Sequence, residues 1–457
     1  GRPIENINFE HHFGWNQPNA HWIGPCSIPA AGKVTIGGLE GNGMAWQQPF
    51  HVESTPCSDV IELPQFGTLI LGDTLGNGIG TLHITSGTQL ILGPESTVHI
   101  GPSSQLHIQE EAQLILNGGQ IIIHPGGILN IHSDGQILVS ENSLITCNGP
   151  DGKFEFNGDL IVSDGKTFQI SSSTNQVAGL LEIDSITAYV QLGTGSRWQI
   201  HGPDSAPIAL TLQHDAGMGV HGLGVLEMTN VQIDMNAFST LELHVKTNFQ
   251  QVNLQGDNST AACAFFNRLQ WDKGVLHNAN ISHQHPSSAS MQLTDLELVN
   301  TEWSATLSGL HMEHCSWSHS TFSLEQVPLH SWIRNTSFES GFSDFPQLFV
   351  AASGHALRIE SSEFKNHSTG LKLKEQQVNL ACTKFENLSD AVHLDSLGQL
   401  NMAPPYGKNT FIHNNQHVRF TDGFWLDLLH GGNAFAQADH QYFEGTIAGL
   451  DAAQSGP

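Results

Sequence analysis

From Thr81 onward the chain repeats a pattern of apolar residues two apart, broken every eight residues by glycine, proline or other turn-prone polar residues: TLHITSGT, QLILGPES, TVHIGPSS, QLHIQEEA, QLILNGGQ. A spacing of two is the strand period, because successive strand side chains point to opposite faces, and the punctuation marks corners. A meander of hairpins would leave each strand about four residues and demand a tight reversal between every pair. Stacking every third unit instead pairs each strand with the one about 24 residues on and leads all the apolar residues into one core. The pattern therefore predicts an all-β chain folded as a three-faced parallel β-helix. Its roughly fifteen coils, rising about 4.8 Å each, would extend on the order of 70 Å.

One face can be followed through Leu82-His83-Ile84, Leu106-His107-Ile108, Leu129-Asn130-Ile131, Phe154-Glu155-Phe156 and Leu181-Glu182-Ile183. The flanks are always apolar and the centre is always polar, so the flanks fill the core and the centres form an outward polar column. The second face reads Leu69-Ile70-Leu71, Leu90-Ile91-Leu92, Leu114-Ile115-Leu116, Ile137-Leu138-Val139 and Leu160-Ile161-Val162, ending at Val190-Gln191-Leu192. Its centres are aliphatic. Ile70, Ile91, Ile115, Leu138 and Ile161 would point outward together as a stripe about 20 Å long, a patch that soluble proteins rarely leave bare.

After residue 205 the period loosens and a second signature takes over, with Phe338, Phe364, Phe385 and Phe411 spaced by 26, 21 and 26 residues and Trp317 standing 21 before the first. Asn366 and Asn387 follow two of these aromatics at the same offset, which predicts a stacked asparagine ladder at a corner. The expected organisation is a cap and first coils over 1–65, regular β-helix over 66–205, irregular coils over 206–423 and a terminal coil or tail over 424–457.

Composition narrows the function. The 16 Lys and Arg stand against 43 Asp and Glu, a net charge of −27, which excludes nucleic acid and anionic lipid as partners held by charge. The 27 histidines, most of them read as solvated strand positions, will reduce that charge as pH falls through about 6.5. No run of about 18 apolar residues is present to span a membrane. The absence of an initiator Met and of a signal segment suggests that Gly1 is a mature end or the start of a piece cut from a longer chain. Among six cysteines no CxxC pair occurs; Cys26 and Cys57, both in Pro-Cys-Ser contexts, are a candidate disulfide in an oxidising compartment, while Cys147, Cys263, Cys315 and Cys382 are expected to point inward.

The succession of strand and corner, with its Phe-x-Asn turns, resembles the right-handed parallel β-helix repeat family over roughly residues 60–430, a fold that hosts lyases, hydrolases, tailspikes and adhesins alike. The opening segment is more specific. Trp15-Asn16-Gln17-Pro18 through Trp22, then Pro29, Gly32 and Val34-Thr35-Ile36, resembles the segment that begins β-helix regions in large secreted surface proteins of Bacteroidota, many of them type IX secretion substrates. Lys33 departs from the aspartate usual there, and no type IX export domain is recognisable after Phe443. The resemblance implies an extracellular or cell-surface location, and it gives Trp15 and Trp22 a role as the aromatic cap over the first coil's open edge.

A polysaccharide-cleaving β-helix would need clustered carboxylates, or calcium-binding acids beside a basic residue. The nearest candidate, His355 and Arg358 in SGHALRIE, has Glu360 where the resembling hydrolases carry lysine, and no Asp-Asp pair precedes it. No phosphate loop, GxSxG, HExxH or calcium nonapeptide occurs, so no cofactor and no metal are expected. The expectation is a structural or adhesive surface component that self-associates through the apolar column into an oligomer or filament. A glycan-binding or glycan-cleaving module, stacking sugars on Trp271, Trp303 and Trp317, is the alternative.

Overall fold

The computed structural model describes residues 60–72, 79–148, 152–171, 180–183, 188–203, 207–257, 260–284, 290–326, 330–340, 346–351, 355–395, 398–402 and 407–420, and the backbone of short strands at Ile4–Glu5, Phe13–Trp15, His21–Ile23, Cys26–Ser27, Lys33–Ile36, Phe50–Val52 and Ala434–Phe435. The fold is a parallel β-solenoid of about 13 turns, and no helix occurs among the described residues. Coil length varies along the chain: Leu106 to Leu129 takes 23 residues, Leu181 to Leu210 takes 29 and Cys263 to Ile281 takes 18. The chain forms two compact units, 1–248 and 249–457.

In the first unit every strand from Thr68–Leu71 to Ala188–Leu192 pairs in parallel with the third strand after it. The first face holds the expected register, with His83 opposite His107, His107 opposite Asn130 and Asn130 opposite Glu155. The triplet flanks are sealed: Leu82, Leu106, Leu129 and their partners Ile84, Ile108 and Ile131 are 1% exposed or less. Corners are four-residue turns closed by a hydrogen bond from the fourth N–H to the first carbonyl, as from Thr88 to Thr85, Ser96 to Gly93 and Ser104 to Gly101. The fourth position points into the core and is therefore small: Thr88, Ser96, Ser104, Ala112 and Ser196 are all buried.

In the second unit the solenoid core becomes aromatic. Phe338, Phe364, Phe385 and Phe411 stack with centroids 4.7, 5.0 and 4.9 Å apart and planes within 7° of parallel, with Trp317 next in line at 5.7 Å. Their register is direct, since each lies opposite the next on neighbouring strands. Asn387 Nδ2 donates to Asn366 Oδ1 at 3.2 Å, and both residues have left-handed backbones, so the predicted ladder stands at an exposed corner. Trp271, Trp303 and Trp317 are buried, at 1% exposure or less, which removes them as sugar-stacking surfaces. Cys147, Cys263 and Cys315 face inward as expected, and burial pushes the Cys147 thiol up to about 12. Cys382 does not: it is exposed at a left-handed corner whose side chain has no core to enter.

Candidate interaction face

The second face of the first unit is built on Gln89–Leu92, Gln113–Asn117, Gln136–Glu141 and Asp159–Val162, paired so that Ile91, Ile115, Leu138 and Ile161 fall in one column. Their flanks Leu90, Leu92, Leu114, Leu116, Ile137 and Val139 are fully buried, which fixes the central side chains outward. Each aliphatic is only half-buried, wedged between the coils above and below. A partner would therefore recover part of the ~1.5–3 kcal/mol that full burial of such a side chain is worth.

Ile70 does not belong to this column. It lies opposite His99 on the third face, and the place above Ile91 is taken by Glu62. The coil from Val60 to Gln89 takes 29 residues where the next takes 24, so the strand one short step back from Leu90 belongs to another face.

Beside the column the same strands carry an amide ladder. Gln89 Nε2 donates to Gln113 Oε1 at 2.7 Å and Gln113 Nε2 to Gln136 Oε1 at 3.0 Å, an arrangement that repeats because the strands are in register. Gln89, Ile91, Gln113, Ile115, Gln136 and Leu138, the outward side chains that flank one another here, include no ionisable group in a chain with a net charge of −27, while Glu141 stands exposed at the end of the third strand. Asp159 continues the glutamine column, its carboxyl raised by desolvation and by Asp134. The ribbon is thus bounded by Glu62 at one end and Asp159 at the other.

Past Ile161 the column changes character through Gln191 to His221. Tyr189, 39% exposed, donates its hydroxyl to Gln191 Oε1 at 2.6 Å and stacks on His221 at 5.1 Å, which stacks in turn on His244 at 4.2 Å. Gly219 makes this possible, because a Cβ there would come within 2.7 Å of His221 Nε2. Desolvation first, then the neighbouring His244, lowers the His221 pKa against the opposing pull of Glu242. Sequence reasoning missed this row; carrying the register one coil beyond Leu192 reaches it.

Trp15 and Trp22 lie on short parallel strands, opposite Ile36 and opposite Ile4 and Val52, while their side chains fall outside the described residues. Cys26 pairs through its backbone with Ile61, and Cys57 lies outside the described residues, as does the proposed bond between them. His355 is exposed, and Arg358 is ion-paired with Glu360, which also accepts from Arg334 at 2.8 and 3.0 Å. Two guanidiniums on one carboxylate make a surface clamp rather than an acid–base pair. Among the described residues no group of three or more His, Cys, Asp or Glu is placed to hold a metal ion, and no helix is long and apolar enough to cross a membrane. Compared with known proteins, the chain matches no family model, no curated protein and no solved structure.

Proposed function

We propose that the chain is a structural and adhesive component of an extracellular surface appendage or filament, whose copies associate through the ribbon of Ile91, Ile115, Leu138 and Ile161. The observation that carries this reading is the in-register aliphatic column beside an uncharged glutamine ladder, in a chain with a net charge of −27. Copies of a chain bearing −27 repel one another, and approach is least opposed across Ile91, Ile115 and Leu138, which glutamines flank. Burial of the aliphatics then supplies the attraction, and the amides of two ribbons satisfy one another or bound water. The extracellular location, and the reading as a type IX-like surface protein of Bacteroidota, rest on the resemblance of the Trp15 to Ile36 segment.

Proximity across the ribbon provides the test. In a Cys382→Ser background, Leu138→Cys should form a disulfide-linked dimer under mild oxidation much faster than Thr146→Cys, whose side chain faces out on the third face. Equal rates for the two variants would contradict association through this face.

A further inference from the structure

We infer that the second unit carries a carbohydrate-binding trough on one outer face, with Phe349 as its stacking platform. The outward centres of successive strands there run Ser282, Ser304, Ser323, Phe349 and Lys372, each opposite the next in register. Three short side chains are followed by a large aromatic, so the serines form a floor and Phe349 forms a step at its end. A cavity of about 510 Å³ sits at this step, lined among others by Glu302, Ser304, Thr321, Ser323, Phe349 and Lys372, and a second of about 440 Å³ adjoins it through Ser304.

The two faces of the Phe349 ring are unlike. Lys372 Nζ lies over the ring 6.0 Å from its centroid. On the other side the residue opposite Phe349 on the neighbouring coil is Ser323, too short to cover an aromatic face. Strand spacing is about 4.8 Å, and inside this same unit the Phe338 and Phe364 rings fill that spacing at 4.7 Å. A ring placed over Ser323 would therefore meet Phe349 at stacking distance, where the next side chain of a continuous stack would stand.

The surrounding groups select the kind of ring. Glu302 is exposed and only accepts, the Lys372 ammonium only donates, and the hydroxyls of Ser304, Thr321 and Ser323 do both. Acceptors and donors spread round one apolar face match a pyranose, whose C–H face is apolar and whose rim carries adjacent hydroxyls. Glu302 opposes a phosphate or sulfate at the same place, and an apolar tail would leave this rim of hydroxyls unpaired. The serine floor gives room for further sugar units along the column.

The test uses the whole chain and four uncharged probes: cellohexaose, laminarihexaose, xylohexaose and chitohexaose, titrated calorimetrically. At least one should bind with a Kd below about 1 mM. Phe349→Ala should weaken that binding about tenfold or more, and Ser323→Phe, which fills the open ring face, should do the same; Thr146→Ala, in the other unit, should leave it unchanged. Both trough variants alter outward side chains, so unchanged circular dichroism will show that the fold survives. Failure of all four probes to bind at millimolar concentration, or binding indifferent to both substitutions, would overturn the inference.

Discussion

A backbone with positive φ stands at the third position of the closed corners: Phe66, Glu95, Ser103, Glu111, Asp134, Asp215 and Phe238 as well as the glycines Gly87, Gly126, Gly165 and Gly195. Left-handed backbone costs a non-glycine residue about 1–2 kcal/mol, so something must compensate. It is the stacking itself: the N–H of the left-handed residue points along the solenoid and donates to the next coil, from Glu95 to Gly118, Ser103 to Gly126 and Glu111 to Asp134. Corners were legible as corners from their Gly, Pro and Ser. Which residue would turn left-handed was not, because the partner carbonyl lies a full coil away. Pro94 already supplies the second position of a type II turn, whose third position favours glycine. Glu95→Gly should raise stability by about 0.5–1 kcal/mol after allowing for the entropy that glycine loses on folding. A urea midpoint that falls would show that the corner is not strained at this residue.

At the scale of the strand and its corner, histidines interlock neighbouring coils. His99 Nδ1 lies 3.2 Å from His124 Nε2, and His107 Nδ1 lies 3.2 Å from His132 Nε2, with His83 stacked on His107 at 4.5 Å. Such a pair needs one ring to donate and the other to accept, so two imidazoliums cannot keep it. Burial lowers the His124 pKa, and burial is also the largest cause of the lowering at His201, His221 and His393. In this pH window the unfolded chain binds more protons than the folded one, so the stabilisation is fully present above about pH 6.5 and is lost as pH falls towards the folded-state values. The urea midpoint should drop between about pH 7.5 and 5.5, and His124→Gln should flatten that dependence; a midpoint constant or rising over the interval would refute the assignment. The outward position of His83 and His107 was readable from strand alternation. The hydrogen-bonded partner of His107 was not, since His132 stands just past a strand end, where a period-two reading carries no direction.

At the scale of the whole chain, the repeat of eight and the aromatic series led directly to a parallel β-solenoid, because both record the same physical demand, an apolar pair sealed inside every strand. Ile91, Ile115, Leu138 and Ile161 were found by that logic. Ile70 was misplaced where a longer coil breaks the period, and the trough at Phe349 stayed hidden because it is made by short residues, which announce nothing in a sequence. The function proposed rests on what the uncharged ribbon does when an acidic chain meets its own copy. The most direct measurement is the solution mass of the intact chain by light scattering, beside that of Ile115→Glu, which puts a carboxylate in the middle of the column. The account predicts a mass that is a whole multiple of the monomer for the native chain and the monomer mass for the folded variant. A native chain that stays monomeric at tens of micromolar, or a variant that associates as the native chain does, would contradict it.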